Sequence, residues 1–509
     1  MKKIIYSLLL LIVSYSSFSQ EIASDTTKDA EGSFALGDDD MIFVRELVRL
    51  GDSLFYELDQ PDEAFKYYMG AYDFISEEGS INIKIGQCFL ASVTEQKSEA
   101  VFYLEKALKL NETISSDLFY DLGRAYQYDE RWNKAIKYYH KSYNALDSSK
   151  YDIIDKKIKE CQYARTFYDF PNEHIIIKNL GPEVNSKYSD FCPLVDAVED
   201  DLYFTSRRHE FRTDNPDILT HLTENIYHSH RSDYVNWATP YPIPMNTDDH
   251  SATVSISMDG SEMIIYRNGD LLLSVKEDTS WSKPKKLPSQ INTTLSVETS
   301  ACLNYTMDTL YFVSNREDLS IGGLDIMMSI KDKNGKWEEA VSLGETINTI
   351  HDEEGVALSR DGNTLYFSSR GHNSMGGYDV FKSTRDFQGN WSTPKNLGTP
   401  INSPYDDVYF MIRANGRHAY YSSARKGGYG EKDIYRISIL DKDKELSIAK
   451  KEIAFILLDK DSINMLHSPQ HTDPLKDIRK VTVHATADLL KSIYQFSLLS
   501  KADSVNHIE

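Results

Sequence analysis

The spacing of apolar positions changes once along the chain, near Phe170-Pro171. Before that point, from Met41 to about Phe170, small and apolar residues recur with a helical period. Ala64, Tyr68 and Ala71 reappear as Ala100, Leu104 and Ala107, and again as Ala135, Tyr139 and Ser142. The steps are 36 and then 35 residues, the length of a helical hairpin that stacks on copies of itself. The small residues let two helices approach, and the aromatics fill the groove between them. Leu122-Gly123-x-x-Tyr126 leads the third copy, whereas Ser53-Leu54-Phe55 and Gln87-Cys88-Phe89 stand at the corresponding place in the first two. A final helix is expected around Asp152–Tyr168.

After Phe170 the apolar runs become short and aromatic. Residues 347–394 show the pattern most clearly: a run from Gly355 to Arg360, an Asp361-Gly362-Asn363 turn, a run from Thr364 to Arg370, a Gly376-Gly377 pair, a run from Tyr378 to Thr384, then Gly389-Asn390 and Trp391. Four short strands joined by such turns make an antiparallel meander. One meander cannot bury both faces, so it must stack on copies. Val184-Asn185, Met245-Asn246, Ile291-Asn292, Ile347-Asn348 and Ile401-Asn402 open five units. Tyr203-Phe204, Ile265-Tyr266, Tyr311-Phe312, Tyr366-Phe367 and Tyr420-Tyr421 mark their second strands. Asp217, Asp270, Asp325, Asp379 and Asp433 open the third, spaced by 53, 55, 54 and 54 residues. Trp237, Trp281, Trp337 and Trp391 mark the fourth. This predicts an α + β multidomain chain, an N-terminal α-helical hairpin array followed by a five-bladed β-propeller. The fifth unit lacks a Trp and a fourth strand, and Ile175–Leu180 is expected to supply it and close the ring.

The two ends add a compartment. Lys2-Lys3, an apolar run from Ile4 to Val13 and Ser-Phe-Ser-Gln at 17–20 read as a signal peptide cut between Ser19 and Gln20. The expected divisions are therefore 1–19 signal peptide, 20–40 flexible leader, 41–170 helical repeats, 174–440 propeller and 441–509 linker and tail. The formal charge is −22, and losing residues 1–19 removes two lysines and no acids, which makes it −24. Nucleic acid and anionic lipid should be repelled. No later segment is apolar enough to span a bilayer.

Candidate chemistry is sparse. No nucleophile elbow, zinc-protease helix or phosphate loop sits in a suitable context, so no catalytic residue, cofactor or metal is expected. Cys88, Cys161, Cys192 and Cys302 show no metal spacing and read as small buried hydrophobes, with Cys88 and Cys161 the one pair placed to bridge. His221, His228 and His230 suggest a metal, but no carboxylate or Cys stands at a fixed spacing from them, which favours a polar surface loop. The acid pairs Glu353-Glu354 and Asp406-Asp407 precede first strands and carry little signal. The repeated Asp position suits a structural hydrogen bond in each blade. Arg207, Arg316, Arg370 and Arg425 follow the second-strand Ser or Asn and read either as a rim that binds a partner's carboxylates or as arginines paired to acids of their own blades.

The order of signal peptide, helical hairpins and Tyr-Phe-Ser-Ser/Gly-Gly-x-Asp blades over residues 41–440 resembles envelope proteins that join tetratricopeptide repeats to a TolB-like, WD-type propeller, as found with gliding motility and type IX secretion machinery. The resemblance implies a non-catalytic periplasmic or outer-membrane-associated scaffold that binds other envelope proteins through its helical repeats and a propeller face. Many such proteins continue into a carboxypeptidase-regulatory-like β-domain and an OmpA-like domain. Neither is found after Leu440, so peptidoglycan binding does not carry over. The competing expectations are a propeller hydrolase or lyase, with convergent acids at the channel mouth, and a glycan or peptidoglycan-fragment binder, with aromatics on one face.

Overall fold

The computed structural model describes residues 37–440, apart from 93–94, 111–115, 144–149, 197–198, 209–222, 233–235, 258 and 279. The signal peptide with its Ser19-Gln20 junction, most of the leader and the whole tail lie outside the described residues.

Among the described residues seven α-helices come first: α1 (Asp38–Asp52), α2 (Pro61–Ile75), α3 (Gly79–Ala91), α4 (Ala100–Leu110), α5 (Ser116–Tyr128), α6 (Trp132–Tyr143) and α7 (Tyr151–Asp169). α1 starts inside the stretch assigned to the leader, because Asp38, Asp39 and Asp40 place three carboxylates in its first turn, where the helix dipole favours them. α1–α2, α3–α4 and α5–α6 pack as hairpins, and α7 covers α6. All nine residues of the repeated set are at most 1% exposed. A glycine on the partner helix makes room for each bulky one. A Cβ added at Gly51, Gly86 or Gly123 would stand 2.5–2.6 Å from Tyr68, Leu104 or Tyr139. Leu50-Gly51, Ile85-Gly86 and Leu122-Gly123 are therefore equivalent, and the first two copies begin earlier than Ser53-Leu54-Phe55 and Gln87-Cys88-Phe89 suggest.

Five antiparallel sheets follow as blades. Their inner strands, Asp190–Val195, Ser251–Ile256, Glu298–Leu303, Glu353–Leu358 and Asp407–Ile412, stand side by side around a channel. The strand Ile175–Asn179, which precedes the first blade, pairs with Asp433–Ile439 of the fifth, with Ile175 opposite Ile439. The ring is thus closed by the segment that the repeat phase requires.

Two markers shift. The third strand of blade 1 is Asn225–His230, so Asn225, opposite Ser206, holds the place expected for Asp217, which falls outside the described residues. Asn matches Asp in shape, and the 53-residue spacing to Asp270 was coincidental. The tryptophans lie ahead of the fourth strands rather than in them. Trp237, Trp337 and Trp391 each make one bridge to the end of the third strand, and Trp281 pairs with Lys276. The short fourth strands Tyr241–Pro242, Lys285–Lys286, Val341–Ser342 and Lys395–Asn396 come four residues later. Pro240, Pro284 and Pro394 fall between and lack the N–H to continue the ladder. Each Trp ring instead lies beneath a cation: Arg231, Lys276, Lys331 or Arg385.

The unit-opening Asn joins the blades. Its Oδ1 accepts from one backbone N–H of the preceding blade's third strand, and its Nδ2 donates to the carbonyl of the same residue. Asn246 does this to Ile226, Asn292 to Leu271, Asn348 to Ile326, Asn402 to Val380 and Asn185 to Ile434, at 2.8–3.0 Å. Replacing Asn348, 1% exposed, by Ala leaves the Ile326 N–H unmet, while the Ile326 carbonyl keeps the Leu343 N–H at 3.1 Å, and should cost about 1–3 kcal/mol in urea unfolding of the full chain. Asn246→Ala, at a half-buried position, should cost less.

Candidate functional site

The helical array sits on blades 4 and 5. Met375, from the second loop of blade 4, is fully buried in the helical core, and its carbonyl accepts from Gln127 Nε2 at 3.2 Å. Thr399 donates to the carbonyl of Phe167 at 2.7 Å, Tyr405 packs on Tyr128 with rings 5.0 Å apart, and Lys426 pairs with Asp129 at 3.2 Å. This docking roofs the channel mouth and leaves a cavity of about 680 Å³ between the two parts. Interfaces of this kind are common ligand sites.

The propeller side of the cavity is made by the first residues of the inner strands and the loops beside them, including Phe191, Thr253, Thr299, Glu354 and Asp406. The helical side supplies the end of α3, Lys97, Tyr128 at the end of α5, and Lys156 and Lys157 of α7. Six cationic side chains face in (Lys97, Lys156, Lys157, Arg207, Arg370 and Lys432) against three carboxylates, Glu224, Glu354 and Asp406. The chain as a whole is strongly acidic, so this lining runs against its composition. At the other end the channel narrows to an apolar space of about 110 Å³ among Val195, Ile256, Leu303, Leu358 and Ile412.

Burial brings the Lys97 amine down to about 8, with Arg124 adding to the effect. It donates to the carbonyls of Leu90 and Ser92 and lies 5.5 Å from the Tyr128 ring. Arg207 reaches Glu224 Oε1 through Nε and Nη2 at 3.1 and 2.7 Å. Arg370 stacks on Tyr378 at 4.3 Å and stands 3.7 Å from Asp406, outside hydrogen-bond reach. Burial raises the Asp406 carboxyl, but Lys432 and Arg370 more than offset it, and it lies below its ordinary value. Glu354 moves the other way. Burial raises it, against hydrogen bonds from Thr299 and the Gly355 N–H.

The four arginines separate into two kinds. Arg316 and Arg425 belong with Arg208, two residues past the second-strand Ser. In each case Nε bonds that Ser, and Nη2 reaches both the first inner-strand carboxylate and a carbonyl of the unit-opening segment. The carboxylates Asp190, Glu298 and Asp407 are fully buried. These arginines are clamps inside a blade. Only Arg207 and Arg370, directly after the Ser, face the cavity, so the four do not form one rim. In blade 4 the clamp position is Gly371, because a Cβ there would strike Thr349, and His372 bonds the Ile347 carbonyl instead. Glu353 therefore has no arginine. Burial pushes it up to about 7, against hydrogen bonds from Ser369 and Thr349.

The third-strand acids serve the fold. Asp325, Asp379 and Asp433 accept backbone N–H groups of the Gly-rich loops before them, and Asp270 pairs with Lys286. The four cysteines are buried and free, with Cys88 and Cys161 in separate cores. His228 and His230 do have a carboxylate partner, contrary to expectation. Asp201, from the neighbouring strand, accepts from both. His221 lies outside the described residues. The cavity acids Glu354 and Asp406 were visible only as halves of two acid pairs, and nothing in the spacing of Lys97, Lys156, Lys157 or Lys432 showed that they converge.

No protein-family model matches the chain, and no curated protein matches it significantly. Solved structures similar to it include a glycoside hydrolase at 8% identity, covering 54% of this chain and 94% of that one, with a TM-score of 0.37. A family-43 β-xylosidase/α-arabinofuranosidase from a compost microbial metagenome is similar at 10% identity, over 51% and 94%, with a TM-score of 0.33. Prolyl oligopeptidase B from Galerina marginata is similar at 8% identity, over 46% and 31%, with a TM-score of 0.29. No shared activity follows at these levels.

Arg316→Ala strands the buried Glu298 carboxylate and should cost about 3–5 kcal/mol in chemical unfolding. Arg207→Ala and Arg370→Ala should each change stability by less than about 1 kcal/mol. Glu353 holds its proton in the fold to about pH 7, whereas the unfolded chain releases it near the ordinary glutamate value of 4.5. Its contribution is thus complete below pH 4.5 and lost as pH rises through 7. Glu353→Gln should gain about 3 kcal/mol on the wild type between pH 4.5 and 8, read from unfolding curves at each pH.

Proposed function

We propose that the chain is a non-catalytic binding scaffold of the cell envelope that takes a carboxylate-bearing segment of a partner protein into the cavity between helical array and propeller. The excess of cations in that cavity, on a chain of charge −22, carries the reading. Arg370 is the leading contact, because its nearest carboxylate stands beyond hydrogen-bond reach and its planar fork suits a second one. Lys97 gains a counter-ion when an anion enters. The helical hairpins, whose sequence resembles tetratricopeptide repeats, provide the second wall of the clamp. The periplasmic setting and the link to secretion or gliding machinery rest on the signal peptide and the sequence resemblance. Among the described residues no helix is long and apolar enough to cross a membrane.

A second reading draws on one observation. Glu354 and Asp406 line the same cavity, and their surroundings move their carboxyl groups in opposite directions, as an acid–carboxylate pair requires. Turnover of chromogenic glycosides by the wild type, abolished in Glu354→Gln, would establish a hydrolase.

The binding reading is tested with fluorescent Glu-rich and Lys-rich peptides in anisotropy titrations. The Glu-rich peptide should bind, more weakly as salt rises, and the Lys-rich one should not. Arg207→Ala with Arg370→Ala should weaken binding at least about tenfold, the loss of one charge-assisted contact or more, with melting temperature unchanged. Equal binding of both peptides, or binding that ignores the double substitution, would refute it.

A further inference from the structure

On the outer part of blade 1, far along its strands from the cavity, two imidazoles and a carboxylate converge. His228 and His230 alternate on the third strand, so both side chains leave the same face of the sheet. Asp201 opens the second strand and lies directly opposite His230. Its Oδ1 stands 2.9 Å from His228 Nε2 and 2.8 Å from His230 Nδ1. One ligand atom from each residue lies within 4.8 Å of the others. His228 is fixed by Tyr203, whose ring stacks on it with centroids 4.3 Å apart and planes 7° from parallel.

A second observation points to a metal ion. Tyr241, on the short fourth strand, places its hydroxyl 2.7 Å from His228 Nδ1 and 3.3 Å from His230 Nε2. These are the ring nitrogens that do not face Asp201. Histidine ligands characteristically donate their remote N–H to an oxygen that fixes tautomer and ring angle. A single hydroxyl oxygen has two lone pairs, and here it stands within reach of both remote nitrogens.

We propose that Asp201, His228 and His230 form a binding site for a divalent transition-metal ion of the zinc class, oriented from behind by Tyr241. Two nitrogens and one oxygen suit such an ion better than calcium or magnesium, which take oxygen ligands. In the free site both rings carry their proton on the nitrogen facing Asp201. On binding, each ring moves that proton to its remote nitrogen and donates it to Tyr241, while the freed lone pair takes the metal. Tetrahedral bonds of about 2.0–2.1 Å put ligand atoms roughly 3.3 Å apart, so the carboxylate draws back from both nitrogens by a few tenths of an ångström. His230 is 57% exposed on its side chain, which leaves a coordination position open to water or to a side chain of a partner. The ion would tie the second, third and fourth strands of blade 1 together at its outer edge.

Calorimetric titration of the untagged full-length protein with zinc chloride tests this. The expected result is saturable binding of one ion per chain, together with a rise in melting temperature on adding zinc. His230→Ala and Asp201→Asn should each abolish both effects, and the metal-free His230→Ala protein should melt as the wild type does, since His230 is largely exposed. Tyr241→Phe should bind about 10–100-fold more weakly, the usual effect of losing an orienting partner. No saturable zinc binding by the wild type, or binding that survives both His230→Ala and Asp201→Asn, overturns the site. Tyr241→Phe binding as tightly as the wild type overturns the part assigned to the hydroxyl.

Discussion

Everything in the propeller depends on one carboxamide per blade. A four-stranded meander leaves one N–H near the start of its third strand without a partner, because the fourth strand, only two residues long in blades 1–4, turns away once it has given its last N–H to the carbonyl of that same residue. The Asn that opens the following unit fills the gap by presenting a donor and an acceptor to one residue, as a further strand would. A carboxylate has no donor, and an alkyl side chain has neither group, so the position admits few substitutes. The same residue sets the spacing between neighbouring blades. The first inner-strand N–H then bonds the carbonyl just before that third strand, in all five junctions, at 2.7–2.9 Å. Packing of the Tyr and Phe rings follows once this register is set.

The cavity is a result of unequal docking. The helical array touches the ring through loops of blades 4 and 5 and leans over the mouth. Its α7 lysines are held toward the opening by the buried Glu160, which pairs with both Lys156 and Lys157. A channel mouth open to water would screen these charges. Roofed over, they act at short range in a medium poorer in water, where each is stronger. The positive interior of a negative molecule therefore comes from the helical array, whose three lysines are set over a propeller mouth of three cations and three carboxylates.

The repeating features were readable from the chain because each is used several times. Five Asn residues, nine buried helical residues and four tryptophans stand out by recurrence, although the tryptophans precede the fourth strands they were expected to mark. The strand Ile175–Asn179 was legible for the same reason: the fifth unit's vacancy showed where it must go. Reading failed where a position departs from the repeat. Asn225 replaced the expected Asp. Arg207 and Arg316 look alike in sequence, yet one residue of offset turns a side chain to the opposite face, putting one in the cavity and the other in the blade. The partnership of Asp201 with His228 and His230 crosses between strands more than 20 residues apart, and a one-off contact of that kind leaves no periodic trace.

The closing strand has a further consequence, for the order in which the molecule is made. Ile175–Asn179 leaves the ribosome ahead of every blade, and its partner, Asp433–Ile439, comes after all of them. The helical array is built from contacts close in sequence and forms early and quickly. It then carries a strand of three consecutive isoleucines whose edge has no mate until four and three-quarter blades have been completed. For that interval the nascent chain displays an unpaired apolar edge, the kind that recruits other strands. Lys178 and Asn179, at the end of that strand, are its only polar residues. The stretch that completes the ring is thus also the one most in need of protection before the ring exists.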